Sequence, residues 1–234
     1  LHEAGHASIS WLLEYANPLI KVTIVPRGRA LGAAWYLPEE RQITTKEQML
    51  DEMCATLGGR AAEDLFLNRI STGAMNDLER VTKQAYGMIA YLGMSDKLPN
   101  LCYYNNEEYS FNRPYSEKTA ELIDTEVKNM VNEQYERAKK ILSEHREGHN
   151  QLAQLLIDKE VIFAEDVERI FGKRPWASRS EEIMAAKESQ EAAEAEKRLA
   201  EEVKEKEKEI KEEEAENSTE AVSYTHLRAH ETGA

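Results

Sequence analysis

The apolar pattern along the chain is mostly helical, with one short stretch that alternates. Residues 1 to 15 read as a helix in which Ile9, Leu12 and Leu13 supply part of an apolar face, with Trp11 near its edge. Asn17-Pro18 ends it, because proline excludes helical geometry from the residue before it. Lys21 to Val25 alternates and is β-branched, which predicts a strand closed by Pro26-Arg-Gly28. Leu31 to Leu37 reads as a second extended segment, closed by Pro38. Together they predict a small sheet of two or more strands. A helix is expected from about Thr45 to Asn68, capped by Thr44 or Thr45, and another from Ala74–Asp77 to about Leu92. Gly93 to Pro114 reads as loop. A long helix follows from Ser116 to about Arg146, capped by Ser116-Glu-Lys-Thr119 and ended by Gly148. Two shorter helices are expected near 149–159 and 164–171, the second opened by Ala164-Glu-Asp166. The fold class is therefore mainly α, with a small β element near residues 21–37.

The pattern fails after about residue 175, and Gly172 to Ser180 reads as a boundary. Residues 181–216 hold 15 Glu against 7 Lys or Arg, a net of −8, with few large apolar side chains. Such a segment adds no core and forms either a charge-laced helix or a disordered tail. Residues 217–234 change composition abruptly and are expected to be non-native or disordered. Three regions result: 1–175, 176–216 and 217–234.

Composition narrows the function. The net charge of −14 argues against binding a nucleic-acid backbone, which needs a basic face. Cys54 and Cys102 form no C-x-x-C, so neither a disulfide framework nor a thiolate metal site is indicated. Cys54 is expected on a helix in the core and Cys102 in a loop. No run of about 18 apolar residues occurs, and no secretory signal opens the chain. The chain starts without Met, one residue before its most informative motif, which suggests a fragment of a longer protein.

That motif is His2-Glu-Ala-Gly-His6, an H-E-x-x-H. Histidines four apart on a helix share a face, so both imidazoles reach one metal ion, and Glu3 can reach metal-bound water without being a ligand. This is the pattern of a zinc hydrolase with a glutamate general base. A catalytic zinc takes three protein ligands. The extended metzincin pattern would need glycine at position 9 and histidine at position 12, where Ile9 and Leu12 stand. Two later acids compete for the third place: Glu63 within a helix, and Asp77 at the start of the next. Chemistry and spacing alone leave this open. Gly58-Gly59 inside a helix costs about 1 kcal/mol per glycine relative to alanine, a cost usually offset by close approach of another backbone.

Other features are read as structural. His145 and His149 share the four-residue spacing but flank Gly148 without a following glutamate, and are expected on a solvated surface. His226 and His230 lie in the suspect tail. Asp124 and Glu126 are expected on a solvated helix face. Tyr103, Tyr104, Tyr109 and Phe111 fit loop packing or a subunit contact as well as a substrate grip. The strand region from Val22 to Leu37 could hold an extended polypeptide by backbone pairing.

His2-Glu-Ala-Gly-His-Ala7, Pro26-Arg-Gly28, Leu57-Gly-Gly-Arg-Ala-Ala-Glu63, Ser71-Thr-Gly-Ala-Met-Asn-Asp-Leu78 and Tyr91-Leu-Gly-Met-Ser95 occur in that order. In this combination, residues 1 to 175 strongly resemble the peptidase domain of the FtsH family of ATP-dependent, membrane-anchored zinc proteases. The resemblance implies a zinc metalloendopeptidase with one Zn2+ per chain on His2, His6 and Asp77, and Glu3 as the catalytic carboxylate. Glu63 then becomes a buried acid behind the ligands. It also implies unfolded or misfolded polypeptide substrates and a homo-hexamer. The parent would lie in a bacterial inner membrane with this domain in the cytoplasm, or alternatively in the inner membrane of a mitochondrion or plastid. The resemblance further implies that ATP and membrane contact belong to upstream parts of the parent; these residues themselves carry no G-x-x-x-x-G-K-[ST]. The competing reading is a non-catalytic oligomerisation module with a vestigial metal motif. A weaker one is a hydrolase of non-peptide bonds.

Overall fold

The computed structural model describes residues 1–26, 32–37, 43–103 and 114–176, with scattered positions between 184 and 198. The chain divides into two units, Leu1–Ala177 and Ser178–Ala234, and all elements named here belong to the first. The turn at Arg27-Gly28, Pro38, the aromatic positions 104, 109 and 111, and the tail from 199 onward lie outside the described residues.

The first unit is mainly α. In chain order it contains α1 (His2–Leu12), β1 (Leu19–Thr23), β2 (Ala33–Tyr36), α2 (Lys46–Ala62), α3 (Met75–Tyr86), α4 (Glu117–Glu144), α5 (Arg146–Lys159), β3 (Val161–Phe163) and α6 (Ala164–Phe171). Turns of π-helix, Glu63–Leu67 and Gly87–Tyr91, continue α2 and α3. Caps follow the local chemistry. Thr45 and Gln48 form a reciprocal capping box at α2, and Ser116 Oγ accepts from Thr119 N at α4. α1 stops at Leu12, earlier than expected, because Leu13 is already extended.

β1 pairs antiparallel with both neighbours, giving the order β2-β1-β3. The third strand was not foreseen: Val161-Ile-Phe163 is too short to show alternation. β2 is an edge strand among the described residues.

α1 is the hub. One side, with Ala4, Ala7 and Trp11, packs on Val22 of β1, Leu152 and Leu156 of α5, and Ile162 of β3. The other, through Ile9, meets Cys54, Ala61 and Ala62 of α2 and Leu142 of α4. Trp11, placed near an edge by the sequence, is instead core, and its Nε1 donates to the Gly172 carbonyl at 2.9 Å. The glycine pair of α2 explains itself here. A Cβ at Gly58 would stand 2.7 Å from the Gly5 carbonyl oxygen, and one at Gly59 would stand 2.5 Å from Nε2 of His2. Only glycine lets the two backbones approach this closely. Met53 and Leu57 of α2 then face Val81 and Ala85 of α3. Burial pushes the Cys54 thiol up to about 12, so it stays protonated as a small core side chain, and Cys102 is exposed.

Several expectations are corrected. Gly148 does not end the long helix. The break falls at His145, and Gly148 lies inside α5, where a Cβ would meet the Phe171 ring at 2.5 Å. His149 is not solvated: it is fully buried, its ring stacked on Phe66 at 4.3 Å. His145 is exposed as expected. Asp124 is exposed, but Glu126 is half-buried and accepts hydrogen bonds from Ser95 and Lys97. Tyr103 packs edge-on against Tyr115.

Burial pushes the His149 imidazole down to about 4. An unfolded histidine titrates near 6.5, so between these values the unfolded chain takes up a proton that the folded protein refuses. The resulting stability is fully present above about pH 6.5 and is lost as the pH falls toward about 4, on the order of 3 kcal/mol in all. Urea unfolding at about pH 7.5 and about pH 4.5 should show His149→Phe losing less stability than the parent chain across that interval. Equal losses would show that the ring is not held uncharged.

Candidate metal centre

His2 and His6 stand one turn apart on α1, and their rings meet edge-on, with centroids 4.8 Å apart. Each ring is oriented from behind. His6 Nδ1 bonds the Ala55 carbonyl of α2 at 3.0 Å, and His2 Nδ1 bonds Glu63 Oε1 at 2.8 Å. Carbonyl and carboxylate oxygens only accept, so both Nδ1 atoms carry a proton, and each ring in its neutral form presents its lone pair at Nε2. These two Nε2 atoms lie 3.1 Å apart.

Asp77 comes from the first turn of α3, where the helix N-terminus favours a carboxylate. Its Oδ2 lies 3.3 Å from His2 Nε2 and 3.5 Å from His6 Nε2. Burial would raise its pKa, but the two imidazoles outweigh that and hold it well below the usual carboxylate range. For His2, burial works against a positive charge, yet Asp77 and Glu63 prevail and raise its pKa.

With the rings neutral, three electron-pair donors thus converge, and a cation could replace the proton that the pull of Asp77 on His2 favours at this point. Ligands at 2.0–2.1 Å on the corners of a tetrahedron are about 3.3–3.4 Å apart. The three observed separations of 3.1, 3.3 and 3.5 Å bracket that edge. The donor set of two imidazoles and one carboxylate suits zinc. Among the described residues, His2, His6 and Asp77 are the one group of three or more such side chains able to hold a metal ion.

Glu63 takes a different place. It is buried at the start of the π turn and accepts from His2 Nδ1, from Ser71 N at 2.8 Å and from Ser71 Oγ at 2.9 Å. Burial raises its pKa, but the Ser71 and His2 hydrogen bonds win and lower it, which keeps it an acceptor. The two competing acids therefore stand on opposite sides of the His2 ring, Glu63 at Nδ1 and Asp77 at Nε2. The path between them is set locally. The π turn ends at Asn68 in the left-handed conformation, Arg60 Nη1 donates to the Ser71 carbonyl at 3.0 Å, and Ser71 Oγ caps the turn into α3.

Glu3 lies in the same cleft of about 860 Å³, which is also lined by Ala33, Tyr36, Thr72 and Arg80. Burial raises its pKa despite the lowering influence of His6 and His2. A carboxylate so tuned suits proton transfer. Gly32 makes room for it: a Cβ there would stand 2.7 Å from Glu3 Oε1. Sequence reading missed Gly32, which carries no local signal, and it missed Ser71 as the residue that holds Glu63. Tyr36 closes the cleft, its hydroxyl accepting from Ser10 at 3.3 Å and pushed up to about 12 by burial. The Arg80–Glu52 ion pair ties α3 to α2.

Residues 1–170 match the profile described as Peptidase family M41. The chain is 72% identical over 189 residues to the ATP-dependent zinc metalloprotease FtsH of Parabacteroides distasonis, a match covering 80% of the chain and 28% of that protein. It is 49% identical over 178 residues to the mitochondrial ATP-dependent zinc metalloprotease FTSH 10 of Arabidopsis thaliana, covering 76% of the chain and 22% of that protein. It is 44% identical over 181 residues to the mouse mitochondrial inner membrane m-AAA protease component AFG3L2, covering 76% and 23%. The chain thus spans only 22% to 28% of the length of these relatives.

Proposed function

We propose, on the premise that this chain belongs to peptidase family M41, that it is the peptidase domain of an ATP-dependent zinc endopeptidase. His2, His6 and Asp77 would hold one Zn2+ per chain, with Glu3 as the catalytic carboxylate. The observation that carries this reading is the convergence of three potential metal-donor atoms at tetrahedral spacing beside the half-buried carboxylate of Glu3. When bound, zinc supplies a Lewis acid that lowers the pKa of water toward about 7 and polarises the scissile carbonyl.

The chain's own groups do the rest. Glu3 receives the proton that the attacking water loses and delivers it to the leaving amine nitrogen. Glu63 and the Ala55 carbonyl keep each imidazole in the tautomer that offers Nε2. The edge strand β2 borders the cleft, and an extended polypeptide could pair with it through backbone hydrogen bonds, giving affinity without sequence preference.

For the intact parent we read a membrane-anchored homo-hexamer that draws ATP-driven force from an upstream module and degrades unfolded or misfolded polypeptides. Identity of 72% to a bacterial relative, against 49% and 44% to mitochondrial ones, favours a bacterial parent, which we place in the inner membrane with this domain in the cytoplasm. No helix among the described residues is long and apolar enough to cross a membrane. Zinc analysis with casein digestion tests the reading. The intact parent should carry one zinc per chain and cleave casein, and chelation should stop cleavage until zinc is restored. Full zinc occupancy with casein left intact would favour the assembly-module alternative.

A further inference from the structure

His149 has no part in the chemistry described, yet it touches both segments that place the first ligand. Its Nε2 faces the Leu1 carbonyl at 3.3 Å, across 148 positions of sequence. A carbonyl only accepts, so Nε2 carries the proton and donates. The same carbonyl accepts from Gly5 N at 2.9 Å and so belongs to the hydrogen-bond ladder of α1 that carries His2. The face of the ring lies on Phe66, at 4.3 Å and within 3° of parallel. Phe66 belongs to the π turn that begins with Glu63, and the Arg146 guanidinium lies over its ring at 5.1 Å.

We propose that His149 is a positioning residue for the metal centre: it ties the backbone before His2 to the turn bearing Glu63, and so fixes the spacing at which His2 Nδ1 meets that acid. The proposal rests on the zinc-site reading. A small rotation of this turn would break the 2.8 Å His2–Glu63 bond and turn Nε2 away from Asp77. A phenylalanine would fill the same space and keep the stack. What histidine adds is the donor aimed at Leu1.

The test is zinc titration of the 234-residue chain against a chromogenic chelator, with a visible spectrum of the cobalt(II)-substituted protein. His149→Phe keeps ring and stack but removes the donor, whereas His149→Gln keeps a donor at similar reach. Zinc binding is expected to weaken about fivefold in H149F, the effect of one neutral hydrogen bond, and to stay within about twofold of wild type in H149Q. The cobalt band should shift in H149F. Wild-type affinity and an unshifted band in H149F would overturn the proposal. Should H149F fail to fold by circular dichroism, Phe66→Leu decides: a comparable loss of affinity supports the tie, and none overturns it. A wild-type chain that takes up no zinc would overturn the site itself, whereas unchanged binding in the variants overturns only the role of His149.

Discussion

Replacing Glu3 with Gln in the intact parent is expected to cut casein hydrolysis by about 10^4-fold while zinc stays at one per chain. The amide has nearly the volume of the carboxylate, so it fits beside Gly32, where Glu3 Oε1 would lie 2.7 Å from a Cβ. It cannot take a proton from water or return one to the leaving nitrogen. The proposed ligand atoms lie on His2, His6 and Asp77, so the metal should be unaffected. Burial already raises the Glu3 pKa, so removing its charge should not destabilise the fold. Atomic absorption on the purified variant gives zinc content, and fluorescent casein gives the rate. Wild-type cleavage by Glu3→Gln would remove Glu3 from the chemistry. Loss of zinc together with activity would make it a ligand instead.

The second large effect separates the two acids. Asp77→Asn should weaken zinc binding more than about a hundredfold, beyond the 10- to 100-fold range typical of groups that act from behind the ligands. Its Oδ2 lies within 3.5 Å of both Nε2 atoms, and no other carboxylate among the described residues completes a metal-ligating group there. Glu63→Gln should cost less than about tenfold, because an amide oxygen still accepts from His2 Nδ1. Competition with a chelator of known affinity measures both variants. The reverse order, with metal lost from the Glu63 variant and kept by the Asp77 variant, would transfer the ligand role.

Much of the fold was legible because its signals are local. The threonines at 44 and 45 announce the start of α2, Ser116 announces α4, and the alternation of Lys21 to Val25 announces β1. Failures came where distant residues decide. Gly148 has the composition of a helix stop, but Phe171 of α6 needs its missing side chain, so α5 runs through it. His149 sits in a polar stretch beside an exposed His145, and nothing in that stretch shows that Phe66 will cover it. The twin glycines of α2 were read as a site of close approach. That the approaching backbone is Gly5, inside the metal motif itself, could not be read.

By itself, the chain order determined that His2 and His6 present two imidazoles on one helical face with Glu3 beside them, since helical periodicity needs no partner. It also narrowed the third position to two acids fourteen residues apart. Which acid meets which nitrogen of His2 was decided only in three dimensions, by a π turn, a left-handed Asn68 and the grip of Ser71 on Glu63. The physical reason is that an imidazole has two nitrogens on opposite edges. Spacing can bring a carboxylate near the ring, but only the path of the backbone determines the edge it approaches.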